Sequence, residues 1–198
     1  MKKLYSILSL ALLPASAVFA QPILFNATLS PEQVTHTLNP ASDQHAAHPF
    51  YKHECALQKG SADYSKATGH GVFSFNPKTN VLTFTITYSG LSGPAIMSHF
   101  HLGAANKSGP IVQTICGRPP ANAKALGYSA PAVFKKVCPA VTSGSYTGNY
   151  KLQGNPHDNL TLAQEKQALM NGELYVNIHT CLNETGELRG QIYPSAQK

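Results

Sequence analysis

Two histidines with strand spacing are the residues in this chain best suited to chemistry. His99 and His101 flank Phe100 in the segment SHFHLG (98–103). On a β-strand, residues i and i+2 project from the same face about 6.5–7 Å apart. Two imidazoles in this arrangement can converge on one metal ion while Phe100 packs into the opposite face. The spacing therefore predicts a pair of metal ligands on one face of a sheet.

A third histidine, His179, lies near the end of a second alternating segment, LYVNIHT (174–180). The apolar positions of that segment leave His179 on the other face, together with Tyr175 and Asn177. Imidazole is a ligand that both copper and zinc accept, so the three histidines predict a copper or zinc site. The alternative is that His99 and His101 are half-exposed sheet residues, hydrogen-bonded to neighbours or to water.

Other residues are candidates for further ligands. His45, His48 and His53 fall within nine positions, and histidines at this density in a loop can chelate a metal ion. The alternative for them is a loop that binds metal only incidentally. His70 lies between two glycines at the start of a strand and can approach the same site if that strand is adjacent. Met97 is expected in the core, although its thioether would suit Cu(I).

The first 20 residues have the layout of a Sec signal peptide. Lys2 and Lys3 precede an apolar run over residues 4–13, and small residues lead to a cleavage site before Gln21. The apolar run is short for a membrane span, and no later stretch approaches 18 apolar residues. The sequence therefore predicts a bacterial protein that is periplasmic or secreted, with one domain over residues 21–198 and no membrane span.

Four cysteines in an exported chain predict two disulfides. They are Cys55, Cys116, Cys138 and Cys181, and three pairings are open. A Cys116–Cys138 bond is favoured because it would close the Pro/Gly/Ala-rich segment between them, which the chain-entropy model values at about 3 kcal/mol. Cys55 and Cys181 would then form the second bond. The alternative is a free Cys181 that acts as a thiolate ligand beside His179.

Charge and composition exclude nucleic-acid binding. The chain has 198 residues, a net charge of +6 and only 12% charged residues; loss of Lys2 and Lys3 with the signal peptide would leave +4. The remaining positive charge is scattered, and Lys135-Lys136 is its one basic pair, which argues against a groove for phosphate backbones. The chain also lacks the hydrolase elbow, P-loop, H-E-x-x-H and C-x-x-C motifs.

Period-two alternation between turn signals predicts eight strands. They cover residues 23–29, 72–75, 81–88, 96–102, 109–115, 146–152, 174–180 and 187–193. One helix is predicted over residues 163–170, with a capping box from Thr161 to Gln164 and a stop at Gly172. The pattern predicts an all-β fold, an antiparallel sandwich or flattened barrel with one short helix. Two long loop insertions are expected at about residues 39–66 and 117–144.

Three groups of motifs resemble the CHRD domain, the module named after chordin. The chain resembles the opening of that domain at GHGVFSF (69–75) and in the run from NVLTF (80–84) to YSGLSG (88–93). It resembles the middle motif at SHFH (98–101) followed by GPIV (109–112). It resembles the closing signature at YVNIHT (175–180) with GELRGQI (186–192). The resemblance covers residues 22–193, and the closing signature is its most specific part.

The CHRD pattern is in turn similar to Cu/Zn superoxide dismutase, which implies a Greek-key sandwich with a copper site. By this resemblance His99 and His101 match the paired copper ligands and His179 matches the late copper ligand. Arg189 matches the arginine that guides the anion, a catalytic role only if the protein is a dismutase. The dismutase also has a His-rich loop with a bridging ligand, whereas residues 103–156 here contain no histidine. A zinc subsite is therefore not expected, and a fourth copper ligand must come from elsewhere.

Two classes of function follow. The first is an exported copper-binding protein that stores, buffers or transfers copper, with a copper-only dismutase or a structural zinc site as variants. The second is a non-enzymatic interaction module that contacts another envelope or secreted protein through its long loops. A homodimer is compatible with such a sandwich, although no residue pattern demands one.

Overall fold

The strands of this protein form two antiparallel sheets that face each other. The structure, a computed structural model, describes residues 21–35, 66–117, 136–154, 159–183 and 185–196. Within these ranges it contains nine strands, one α-helix and a single 3-10 turn at Pro31–Gln33. This confirms the predicted all-β sandwich.

The first sheet has five strands in the order β6-β3-β2-β1-β9. Their bounds are β1 Ile23–Leu29, β2 Thr68–Asn76, β3 Val81–Ser89, β6 Gly144–Lys151 and β9 Tyr193–Pro194. The second sheet has four strands in the order β5-β4-β7-β8, with bounds β4 Ala95–Leu102, β5 Ile111–Gly117, β7 Leu174–Thr180 and β8 Leu188–Gln191. All pairings within the two sheets are antiparallel.

The core lies between the sheets and is rich in aromatic rings. Phe100 of β4 projects into it, where its ring packs edge-on against Phe84 at 5.1 Å and Phe73 at 6.3 Å and stacks on Tyr150 at 5.4 Å between centroids. Full burial of such a side chain is worth about 1.5–3 kcal/mol relative to exposure. Phe100 thus fixes which face of β4 points inward, as its position between two histidines predicts.

The helix α1 spans Leu162–Met170 and begins with the predicted capping box between Thr161 and Gln164. It ends before Gly172, whose φ of +73° is the left-handed conformation that favours glycine. Glu165, on its buried side, accepts hydrogen bonds from the backbone N–H of Gln153 and Gly154 and from the Tyr150 hydroxyl. These bonds tie the helix to the end of β6.

Several predicted strand bounds are wrong; the largest error is in β2, which begins at Thr68 rather than at residue 72. The segment 187–193 is two strands rather than one, because Gln191 pairs with β7 while Tyr193 pairs with β1. The chain changes sheets at the buried Ile192 between them. Strand β5 begins at Ile111 rather than at residue 109. Most of the two predicted long loops, residues 36–65 and 118–135, lies outside the described residues.

Cysteine pairing follows the favoured prediction as far as the described residues reach. Cys116 and Cys138 form a disulfide with their Cα atoms 5.0 Å apart. Cys181 is also disulfide-bonded, so the alternative of a free Cys181 thiolate is wrong. Cys55 lies outside the described residues, and its pairing with Cys181 stays a prediction.

Candidate metal centre

The pairing of β4 with β7 places the three candidate histidines on one face of the four-stranded sheet. Facing pairs of residues across these strands are Met97 with His179, His99 with Asn177, and His101 with Tyr175. Because Phe100 points into the sandwich, its neighbours on β4 point to the outer face. The predicted grouping of these side chains follows directly from this register.

The outer face of the four-stranded sheet is shielded from solvent at the three histidines. His99 is 1% exposed, and His101 and His179 are each 2% exposed. The alternative is therefore wrong in making His99 and His101 half-exposed, although both are hydrogen-bonded to neighbours, His99 to His179 and His101 to Gly109. Part of the cover is the segment 103–110, which returns over the sheet and is held there by a hydrogen bond from Gly103 N to Glu173 O at 2.7 Å.

Two of the histidines already have the separation of metal ligands. His99 Nδ1 lies 3.4 Å from His179 Nε2. Two nitrogens bound at 2.0–2.1 Å to one tetrahedral ion lie about 3.4 Å apart. One ring nitrogen from each of His99, His101 and His179 lies within 4.8 Å of the others. The three imidazoles are therefore close enough to be candidate ligands of one metal ion.

His101 has an unpartnered ring nitrogen. Its Nδ1 lies 3.0 Å from Gly109 O, and since a carbonyl oxygen only accepts, Nδ1 carries the proton and donates. Nε2 then carries the lone pair, and it is buried with no hydrogen-bond partner among the residues that the structure describes. Burial lowers the pKa of His101 to about 3, so the ring is neutral at physiological pH. A neutral imidazole with a buried, unpaired Nε2 fits a metal ligand.

The backbone of Gly109 hydrogen-bonds to both His101 and Tyr175. Its carbonyl accepts from His101, and its N–H donates to the Tyr175 hydroxyl at 3.1 Å. A Cβ at this position would overlap the carbonyl oxygen of Leu102. Glycine is therefore the residue that lets the segment approach the sheet closely enough to orient the imidazole.

Tyr175 and Arg189 form a stack behind His101. The Tyr175 and His101 rings are 5° from parallel with their centroids 4.8 Å apart, and the Arg189 guanidinium carbon lies 3.6 Å from the Tyr175 ring centroid. Burial lowers the pKa of Arg189. Its guanidinium, on a side chain that is 1% exposed, donates to the carbonyls of Ala104 and Lys107, to Gln191 Oε1 and to Thr35 Oγ1.

The structure places the other candidate residues elsewhere or does not describe them. His70 is exposed on the outer face of the five-stranded sheet, where it pairs with Thr28 and Thr87; it is not brought to the three histidines. His45, His48 and His53 lie outside the described residues. Arg189 lies beside the site, and its predicted role in guiding an anion stays a prediction.

Sequence reasoning missed the parts played by Tyr175 and Gly109. The signal for Tyr175 was present, since it alternates with Asn177 and His179 on the same strand face. No local signal indicates that Gly109 accepts from a histidine eight residues earlier, because that bond depends on the fold of the intervening segment.

Comparison with known proteins gives one positive result. The chain matches the CHRD domain family over residues 25–192, and CHRD domains occur in extracellular proteins. No curated protein and no solved structure matches the chain significantly. Among the described residues, no helix has both the length and the apolar character needed to cross a membrane.

Proposed function

The chain belongs to the CHRD domain family, and from that premise we propose that it is an exported protein that binds one copper ion through His99, His101 and His179. Its role would be to store, buffer or transfer copper. Zinc is the alternative metal, because the same imidazoles accept it.

The buried Nε2 of His101 carries this proposal. An acceptor that is removed from water without a partner costs about 1–3 kcal/mol, and a metal ion would satisfy it. His99 and His179 each offer a ring nitrogen to the same ion, because one nitrogen from each of the three histidines lies within 4.8 Å of the others. The hydrogen bond to Gly109 supports the role of His101 as a ligand, because it keeps the proton on Nδ1.

Copper is favoured over zinc on the chemistry of the donors. Divalent copper binds a given set of nitrogen ligands more tightly than divalent zinc does. When bound, the ion would supply reversible Cu(II)/Cu(I) chemistry. The chain's own residues hold it, fix the ring orientation of His101 and keep the site largely away from water.

Binding is favoured over superoxide dismutation. Residues 103–156 contain no histidine that could bridge to a second metal. The Arg189 guanidinium is buried and already donates to four acceptors. Both features support a carrier more than a catalyst that must attract an anion quickly.

Export is the second part of the proposal. The charged and apolar pattern of residues 1–20 supports it, and the Cys116–Cys138 disulfide is typical of an oxidising compartment. Expression of the full chain in a bacterial host, with recovery from the periplasm and N-terminal sequencing, tests it. A mature protein that begins at Gln21 is expected; an uncleaved protein in the cytoplasm would contradict export.

The metal site is tested on that recovered protein without a His tag. After loading with Cu(II) and removal of excess, we expect one copper per chain and an EPR spectrum with nitrogen hyperfine structure. The His99→Ala/His101→Ala/His179→Ala variant should lose both. His70→Ala is the matched control and should keep both, because His70 is exposed on the other sheet.

Two outcomes would redirect the proposal. No stoichiometric copper in the wild type, or full copper retention in the triple variant, would overturn the site. A superoxide assay on the same copper-loaded sample separates carrier from enzyme, and rapid dismutation would favour the enzyme. Stoichiometric zinc that copper does not displace would favour the structural zinc site.

A further inference from the structure

Met97 lies on the same face of the sheet as the three histidines. The register between β4 and β7 is unbroken from Met97 to Leu102, and its one shift comes before Met97. Residues 97, 99 and 101 therefore alternate together toward the outer face, while Phe100 points into the sandwich.

Met97 faces His179 directly across the two strands. Facing residues in an antiparallel pair have Cβ atoms about 4.5–5.5 Å apart. The methionine side chain has three rotatable bonds and fits irregular surroundings. Its thioether can therefore reach a metal ion held by His179 and by His99, two residues further along β4.

Met97 is buried on the outer face of the four-stranded sheet rather than between the two sheets. The side chain is 0% exposed, as the sequence predicts. It nevertheless does not belong to the main cluster of packed apolar side chains, to which Phe100, Val176 and Ile178 of the same two strands do belong. Met97 is instead buried on the face that carries imidazole groups.

Thioether and imidazole donors together favour monovalent copper. The soft sulfur of methionine suits Cu(I), whereas zinc prefers imidazole, thiolate or carboxylate. Within the described ranges no carboxylate joins the three histidines, and a single positive charge costs less to bury without an anion than a double charge does. The thioether donor and the smaller cost of burying a single charge both favour Cu(I).

We infer that Met97 supplies a thioether ligand to the copper site and makes that site selective for Cu(I) over Zn(II). This inference rests on the proposed function, since it requires that the three histidines bind copper. It adds a sulfur donor and an oxidation state that the histidines alone do not specify.

Affinity measurements test the selectivity. Cu(I) affinity is measured without oxygen by competition with bathocuproine disulfonate, and Zn(II) affinity by competition with a chromophoric chelator. Met97→Leu keeps the volume and apolar character of the side chain. Groups just outside a metal's ligand shell already cost about 10–100-fold in affinity when removed, so Met97→Leu should weaken Cu(I) binding at least about tenfold. Zn(II) binding should change less than about twofold, because zinc gains little from a thioether.

Met170→Leu is the matched control. Met170 is partly buried against the main core at the end of α1, away from the histidine face, so both affinities should stay at the wild-type value. Equal loss of Cu(I) affinity in the two variants would overturn the inference.

X-ray absorption of the Cu(I)-loaded wild type tests the ligand without any substitution. We expect a sulfur scatterer, which should be absent in Met97→Leu and present in Met170→Leu. Copper bound by nitrogen alone in the wild type would overturn this inference and leave the proposed copper site intact. Failure of the wild type to bind copper would overturn the proposed function, and this inference with it.

Discussion

His101 and Tyr175 face each other across β4 and β7 with their rings 5° from parallel. Both also bond to one residue, Gly109, the imidazole through the glycine carbonyl and the phenol through the glycine N–H. The ring plane of His101 is thus fixed by the stack and by one hydrogen bond, and a second hydrogen bond ties the stacking partner Tyr175 to the same glycine. The site is thus formed by β4, β7 and the segment 103–110, which packs against the two strands.

Removal of the Tyr175 hydroxyl tests this arrangement. Tyr175→Phe keeps the stack on His101 but leaves the buried N–H of Gly109 without its acceptor, which should cost about 1–3 kcal/mol of stability. Copper affinity should fall as well, because the segment that orients His101 is loosened. Urea denaturation and copper competition measure the two effects. Tyr193→Phe, at an exposed tyrosine, is the control; equal stability in the two variants would contradict the arrangement.

Arg189 should act through packing and hydrogen bonds rather than through its charge alone. Arg189→Lys keeps the charge but loses the planar fork that reaches the carbonyls of Ala104 and Lys107. We expect a loss of about 1–3 kcal/mol by urea denaturation. Lys107→Ala removes an exposed charge and keeps the carbonyl, so its effect should stay within about 0.5 kcal/mol. If Arg189→Lys is as stable as the wild type, the positive charge alone is enough to stabilise the fold here.

Gly109 should tolerate no side chain. In Gly109→Ala the new Cβ overlaps the Leu102 carbonyl oxygen, so the backbone must shift at the residue whose carbonyl accepts from His101. Overpacking of this kind costs about 1–3 kcal/mol, and copper affinity should fall with it. In Gly103→Ala the nearest atom, the Lys107 carbonyl oxygen, would lie 3.1 Å away, and a smaller effect is expected. Equal copper affinity in Gly109→Ala and the wild type would refute the orienting role.

Glu165 should make stability depend on pH. Burial raises the pKa of this carboxyl above its ordinary value, so the folded protein holds the proton more tightly than the unfolded chain does. The stabilising effect is complete below the unfolded pKa, about 4.3, and is lost as pH rises through the folded pKa. Relative to Glu165→Gln, the wild type should therefore lose stability as pH rises above the ordinary carboxyl pKa and through the raised pKa of Glu165.

Urea denaturation at several pH values measures that trend. Glu32 is a control of opposite sign, because a hydrogen bond from Ser30 lowers the pKa of its fully exposed carboxyl. The stability of the wild type relative to Glu32→Gln should rise with pH or stay constant. If the stability difference between the wild type and Glu165→Gln does not change with pH, the Glu165 carboxyl titrates normally.

Sequence patterns predict this fold well where the signal is local. Strands β1 and β7 have the predicted bounds, and the Thr161 capping box begins the helix as expected. The alternation of His99, Phe100 and His101 assigns their faces correctly, because successive side chains on a strand point to opposite sides.

The parts that sequence could not predict depend on contacts between distant segments. The polar face of β7 looks solvent-exposed by alternation, yet every residue of that strand is buried because its outer face is covered. Glu165 reads as an ordinary helix residue, and only the fold brings the end of β6 against its carboxylate. The change of sheet at Ile192 is likewise invisible in a continuous apolar alternation.

The division of β4 into an inward and an outward set of side chains also limits how its gene can change. A single-codon deletion within β4 would shift the frame of alternation by one residue and exchange the two faces. The imidazoles would then point into the aromatic interior and Phe100 would take their place outside. Point substitutions on this strand can affect folding or metal binding separately, whereas a one-residue deletion should abolish both at once.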